Sequence, residues 1–380
     1  MHSPAPATRR RFLELGVGAA VLGRSSGVFS EGRLSNLRLK NRLVRSATAE
    51  GACRDGEMTE AGLDIYRALA RGGVGLIITG HMAVMPSGRA EPTQTCIYDD
   101  RFTGSIRRIA EVVHKSGKGC RVIAQIGHTG MQSGISEPVG PSTKAWPQRK
   151  TTPRALTTPE VEEVVAHFAQ AARRVKQAGF DGAELHAAHG YLLSSFLSPY
   201  TNTRTDKYGG SIERRATIIR EILEQARALV GPRFPILIKM NCDDGLEGGI
   251  DIDSFPLLAR EIEKAGVQAL EVSGNNPVRQ VSTAEGQSFF LKHVQRLQLS
   301  VPVILTGGNR SIARLEEIFK TGKPDFFGLA RPLVREPDLP NRWLEGRGGQ
   351  ESTCTSCNRC LAALGKGEPT RCRAEEPGAA

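Results

Sequence analysis

Three side chains in one short stretch can move or hold protons: His186, His189 and Tyr191, within His186-Ala187-Ala188-His189-Gly190-Tyr191. The preceding Asp181-Gly182-Ala183-Glu184-Leu185 reads as a short buried strand, so both imidazoles and the phenol fall where a strand ends and a loop begins. Three-residue spacing returns two side chains to one face when the backbone curls. Two imidazoles on one face could hold a carbonyl oxygen while negative charge builds on it. A phenol is neutral at physiological pH and can give a proton to a strong base such as an enolate. A bare His-x-x-His also suits a metal pair or a surface turn, but no third ligand stands near it in the chain.

Such groups need a scaffold that aims them. Short apolar runs at 43–48, 74–79, 121–126, 181–186, 235–240, 267–273, 302–306 and 325–330 read as strands. Runs at 105–115, 161–178, 212–230, 255–265 and 312–320 read as helices, and another closes at Arg71 before Gly72-Gly73. Strands alternating with helices predict an α/β chain of the (β/α)8 TIM-barrel class with a short Cys-rich C-terminal segment. A doubly wound sheet would want a G-x-G-x-x-G turn after an early strand, and none is found there. Polar or special residues recur at the strand ends: Thr48, Gln125 with His128, His186 with His189, Lys239, Ser273-Gly274-Asn275, Gly307-Gly308 and Arg331. In a barrel these points meet on one rim.

Composition narrows the classes further. With 39% hydrophobic residues the chain is globular rather than disordered. Lys and Arg total 51 against 40 acids, a formal charge of +11. The basic pairs Arg107-Arg108, Arg173-Arg174 and Arg214-Arg215 lie on separate helical segments with acids nearby, and aromatics are only 5%, so a nucleic-acid platform is not expected. A basic surface suits anionic substrates or an acidic redox partner. No stretch is long and apolar enough for an integral membrane helix. Within 1–27, Thr8-Arg9-Arg10-Arg11-Phe12-Leu13-Glu14 followed by an apolar 15–22 resembles a twin-arginine export signal, which implies a periplasmic or exported protein. The alternative is a basic disordered extension on a cytoplasmic one. Residues 28–340 form the expected barrel and 341–380 the Cys-rich tail.

The eight cysteines divide into two sets. Cys53, Cys96, Cys120 and Cys242 are solitary and read as plain thiols. Cys354-x2-Cys357-x2-Cys360-x11-Cys372 is a cluster, and three cysteines at two-residue gaps with a distant fourth suit a [4Fe–4S] cube better than a zinc ribbon of two CxxC pairs. Zinc and no metal remain the alternatives.

The HAAHGYL run, followed by Phe196-Leu197-Ser198-Pro199, then Asn202, Arg204, Asp206, Tyr208-Gly209-Gly210-Ser211 and Glu213-Arg214-Arg215, resembles the Old Yellow Enzyme family of FMN-dependent ene reductases. The resemblance covers roughly 29–340 and implies FMN across the mouth of the barrel. It implies Ala47 and Thr48 beside the isoalloxazine ring and Gln125 on its pyrimidine edge. Lys239, where the family usually carries Arg, would balance charge on N1 and O2 of the reduced flavin; the plainer reading is a strand-end lysine reaching solvent. Gly307, Gly308, Ala330 and Arg331 match the phosphate-binding segments. His186 and His189 would hold the substrate's carbonyl oxygen, and Tyr191 would protonate the α-carbon after hydride transfer from N5. The implied substrate is a small molecule with an activated alkene. A flavin dehydrogenase of amines or alcohols, or an electron-transfer module for a partner protein, are the rival readings. The cysteine tail resembles that of the trimethylamine dehydrogenase and 2,4-dienoyl-CoA reductase branch, whose larger members continue into a nucleotide-binding half. Here the electrons are therefore expected from NAD(P)H or from a separate donor protein.

Overall fold

The computed structural model describes residues 27–134, 136–147, 151–274 and 286–376. The twin-arginine stretch with Arg9 and Arg10, and Asn275, lie outside the described residues. All eight expected barrel strands form: β1 Leu43–Arg45, β2 Leu76–Ile78, β3 Arg121–Gly127, β4 Gly182–Ala187, β5 Ile236–Asn241, β6 Leu270–Ser273, β7 Val303–Thr306 and β8 Phe326–Leu329. Each pairs in parallel with the next, and β8 pairs with β1, so the sheet closes into a barrel. A two-residue strand, Met82–Ala83, extends the sheet along the end of β3.

Several strands stop earlier than their apolar runs. β1 ends at Arg45, one residue before the last backbone bond to β8, Ser46 N–H to Leu329 O (3.1 Å), and the Arg45 guanidinium adds to the contacts there. Its Nη1 donates to Ser46 O (3.1 Å), Thr48 Oγ1 (2.5 Å) and Ala330 O (3.1 Å). This joins the ends of β1 and β8.

The helices follow the strands: α1 Glu60–Arg71, α2 Thr103–Ser116, α3 Thr158–Gln177, α4 Thr217–Val230, α5 Ser254–Lys264, α6 Leu291–Gln295 and α7 Ile312–Phe319. α3 begins with a capping box: Thr157 accepts from the Glu160 N–H and the Glu160 carboxylate returns to the Thr157 N–H. The run expected as one helix over 212–230 is two, Ile212–Arg215 and α4, joined at Ala216. Arg215, the last residue of the first piece, is drawn inward to Leu197 O (2.9 Å) and Gly210 O.

The core has two parts. Apolar side chains outside the barrel pack against the helices in one large cluster. Inside, Val44, Leu76, Ile78, Ile123, Leu237, Ala269, Ile304 and Phe326 fill the lower barrel together with Leu34 and Leu39. The last two come from an antiparallel hairpin, Gly32–Leu34 with Leu37–Leu39, that plugs the end opposite the strands' C-termini. Both faces of a barrel strand are buried, which is why these strands read as continuous apolar runs. Among the described residues no helix is long and apolar enough to cross a membrane.

Candidate active site

Above the apolar plug the barrel interior turns polar. Ser46, Gln125, Glu184, Lys239, Glu271 and Thr306 project inward from successive strands and are all buried. Lys239 Nζ lies 3.0 Å from Glu271 Oε1 and donates to Ser46 Oγ at 2.8 Å. The same Glu271 oxygen accepts from Ser46 Oγ (2.5 Å) and Thr306 Oγ1 (2.7 Å). The solvent-reaching lysine is excluded: its side chain is 3% exposed.

Glu184 accepts from Gln125 Nε2 at 2.8 Å. Glu184 Oε1 and Glu271 Oε2 are buried with no other partner. Burial, and then the charge of Glu271, push the Glu184 carboxyl well above the usual range. For Glu271 burial acts the same way, but Lys239, Ser46 and Thr306 outweigh it and hold that carboxyl below its usual value. The pair therefore carries one proton, on Glu184, which it shares with Glu271. With Lys239 the layer is electrically neutral.

The rim sits one layer higher. His186 is the penultimate residue of β4, and His189 follows in the loop with a left-handed φ of 62°. The turn brings the rings to 5.0 Å at 85°, and the Tyr191 ring lies 4.7 Å from His186. His186 Nδ1 accepts a long bond from Ala188 N–H (3.4 Å), so its hydrogen is on Nε2. His189 Nε2 meets Ser273 Oγ at 2.9 Å. Burial, then neighbouring imidazoles and Lys239, depress both rings well below the usual histidine range, which keeps them neutral. Tyr191 caps the short helix Leu192–Leu197. Gly190, with φ +74°, is required here: a Cβ would come within 2.7 Å of both Gln132 Nε2 and Trp146 Nε1. Trp146 Nε1 donates to Gly190 O (3.1 Å) and Gln132 to His189 O, so the loop is braced from β3's side.

These residues line one end of a cleft with about 1290 Å³ of open space. Ala47, Thr48, Gln125, Lys239, Gly307, Gly308, Ala330 and Arg331 line it too, so every expected flavin contact reaches the same cavity. Its far end is built on the turn after β7. Gly307 and Gly308 have φ +125° and +76°, conformations that expose backbone N–H groups and that side chains rarely adopt. Asn309 fixes this turn by donating to Leu305 O (2.7 Å) and Gly328 O (3.0 Å). Arg310, beside it, has a buried Nε with no partner. A guanidinium Nε with no partner beside a turn of two left-handed glycines fits a phosphate, so the residues present suit FMN.

Arg331 does more than the sequence implied. Its Nη1 donates to Asn358 Oδ1 (2.5 Å) and Ser356 O (3.3 Å). It therefore lies between the flavin cleft and a second, small pocket lined by Cys354, Cys357, Cys360 and Cys372. Burial raises the Cys354 and Cys360 thiols, while a backbone bond from Arg359 lowers Cys357. Arg335 Nη1 lies 3.4 Å from Cys372 Sγ. Among the described residues no group of three or more His, Cys, Asp or Glu is set to hold a metal ion. Cys53, Cys96, Cys120 and Cys242 are buried thiols.

Sequence reasoning missed His81, Gln94, Trp146, Arg310 and the Glu184–Glu271 pair. His81 and Arg310 had a legible signal: they stand three and four residues past a strand end, close to the rim residues. Gln94 and Trp146 come from loops and had none.

A family model for the NADH:flavin oxidoreductase / NADH oxidase family matches residues 29–350. The chain belongs to this family. An NADH oxidase of Thermoanaerobacter brockii is 38% identical over 344 residues, 87% of this chain and 52% of that protein. A 4,4'-dithiodibutanoate disulfide reductase of Rhodococcus erythropolis is 30% identical and is matched over 91% of this chain and 94% of its own length. Among solved structures, a complex of 2-naphthoyl-CoA reductase superposes with a TM-score of 0.84 at 27% identity, over 91% of this chain and 56% of that one. The chain thus spans about half the length of the T. brockii relative. Membership makes it a flavin oxidoreductase of the Old Yellow Enzyme type, and FMN is the flavin the family implies.

Proposed function

We propose that the protein reduces activated alkenes of the α,β-unsaturated carbonyl type. The observation that carries this reading is the neutral His186–His189–Tyr191 cluster at one end of a cleft whose other end is an anion site. FMN, when bound, supplies the hydride from its N5. Ala47, Thr48, Gln125 and Lys239 would hold the ring, and Gly307, Gly308, Ala330, Arg310 and Arg331 the phosphate; what supports this is that all of them line one cleft.

The chain's own residues do the rest. Neutral His186 donates from Nε2 and His189 adds a second group, so a carbonyl oxygen bound here gains donors as it becomes an enolate oxygen. Neutral imidazoles suit this role because they polarise the carbonyl without protonating it outright. Tyr191 stands beside them to give its phenolic proton to the α-carbon. The neutral Glu184–Glu271–Lys239 layer closes the floor without an unpaired charge.

The test is anaerobic mixing. Reduced protein should be reoxidised by cyclohexenone. An oxidised flavin that is instead bleached by trimethylamine, with no response to cyclohexenone, would assign an amine dehydrogenase.

We also propose that Cys354, Cys357, Cys360 and Cys372 hold a [4Fe–4S] cluster. What supports it is that all four line one cavity with Arg331 and Arg335. A zinc ion draws its four ligand atoms to about 2.3 Å from one centre, whereas a cube occupies a larger volume. Protein purified anaerobically should contain iron and acid-labile sulfide and show a broad absorption shoulder that dithionite bleaches. Zinc alone, or no metal, would refute it. Electrons would then come from NAD(P)H or a donor protein.

A further inference from the structure

His81 is a half-buried imidazole that no expected role uses. It stands just beyond the end of β2, on the wall of the cleft, with its ring 5.0 Å from Tyr191 and 5.5 Å from His186. Gly127, at the end of β3, makes room for the group: a Cβ there would meet the Cβ atoms of His186 at 3.2 Å and His81 at 3.7 Å.

Its hydrogen-bond partners fix where its proton lies. Gln94 is buried, and its amide orientation is unambiguous. Oε1 accepts from Ala90 N–H at 2.6 Å, and Nε2 donates to His81 O at 3.0 Å. Flipping the amide would set oxygen against oxygen and N–H against N–H. The same Nε2 lies 2.6 Å from His81 Nδ1, so Nδ1 is the acceptor. Burial holds the ring's pKa at about 4, so at neutral pH a single hydrogen remains. It sits on Nε2, which is 3.4 Å from the Tyr191 hydroxyl oxygen. His81 therefore donates to Tyr191, and the bond uses the phenol's lone pair rather than its hydrogen.

We propose that His81, locked as the Nε2–H tautomer by Gln94, is the positioning residue for proton delivery by Tyr191. This rests on the reading of Tyr191 as the proton donor. In the step, the Tyr191 O–H bond breaks, the proton forms a C–H bond at the α-carbon, and the negative charge passes from the enolate to the phenol oxygen. The hydrogen bond from His81 Nε2–H to that oxygen strengthens as the charge develops. Water then returns a proton to Tyr191. A tautomer with hydrogen on Nδ1 would present a lone pair to the hydroxyl and hold back the proton that must leave.

Two measurements test it. In the holoenzyme with labelled imidazole nitrogens, long-range proton–nitrogen spectra at neutral pH should show the His81 ring, identified by its absence from His81→Gln, protonated on Nε2 and bare on Nδ1. Hydrogen on Nδ1, or on both nitrogens, overturns the proposal. In the second, reoxidation of reduced protein by cyclohexenone should slow on the order of 10- to 100-fold in His81→Leu, the scale of one hydrogen bond to a charged group. His81→Gln, which keeps a donor near the same place, should recover most of the rate. In a Tyr191→Phe background, His81→Leu should cost nothing more. Full additivity of the two changes sinks the His81 role while leaving Tyr191 as the donor. An undiminished rate in Tyr191→Phe alone instead sinks the reading beneath it.

Discussion

The barrel rim and the cysteine segment face each other across Arg331, and they are ordered by different means. On the rim, His186, Ser273 and Lys239 are parts of strands, and the loop carrying His189 and Tyr191 is braced by Trp146, Gln132 and Asn241. Positions there follow from backbone pairing and short polar contacts. The segment 351–376 contains one short helix, Leu361–Gly365. It is held to the barrel by Thr370, whose N–H and hydroxyl bond to Glu50 O (2.7 Å) and Ala49 O (2.8 Å), and by the long cationic side chains of Arg331 and Arg335. The difference teaches that the rim is pre-organised by backbone pairing, whereas the thiols sit on a segment of little regular structure that side chains tie to the barrel.

The largest effect expected on the rim is kinetic. Tyr191→Phe should slow cyclohexenone-dependent reoxidation by about 10² to 10⁴, while flavin content and melting temperature stay near those of the parent. Loss of flavin in this variant would mean that the rim depends on its ligand for order, and would remove the contrast.

The next is a stability effect inside the barrel. Lys239→Met strips the cation from Glu271 and should cost about 3–5 kcal/mol in denaturant unfolding. The double change Lys239→Met with Glu271→Gln should recover part of that. A single-variant cost below about 1 kcal/mol would show that the layer is not a coupled ion pair.

A smaller, local effect is expected of the segment. Cys354→Ser with Cys360→Ser should abolish iron binding and speed proteolysis within 351–376 on the order of tenfold, with the flavin spectrum retained. Unchanged iron content would sharpen the comparison in the other direction, by removing these thiols as ligands.

The smallest concerns pH. Burial, then His167, hold His128 at about 4 in the fold, against about 6.5 when unfolded. A depressed imidazole binds fewer protons folded than unfolded across that window. Its contribution is full above pH 6.5 and is lost as pH falls toward 4, at up to about 1.4 kcal/mol per pH unit. His128→Gln should flatten the parent's stability curve between pH 6.5 and 4. Parallel curves would place a charged His128 in the fold and weaken the account of a neutral rim.

The sequence alone determined the barrel and most of its rim. Eight apolar runs of strand length with helical spacing between them admit few other closures. Gln125, His186 and Lys239 were legible because each stands in the C-terminal half of its own strand, and Thr48 and Gly307 because each follows a strand by three residues or fewer. Only the tertiary structure decided which residues from different strands share charge and protons. Glu184 and Glu271 are 87 positions apart and look like ordinary strand residues, yet barrel closure sets them to share one hydrogen over a lysine. His81 and Gln94 became significant only when β2 and β4 were brought beside the same cleft. Periodicity in a chain reports how each element meets the core; protonation and tautomer depend on partners that arrive from elsewhere in the chain, and these no local pattern encodes.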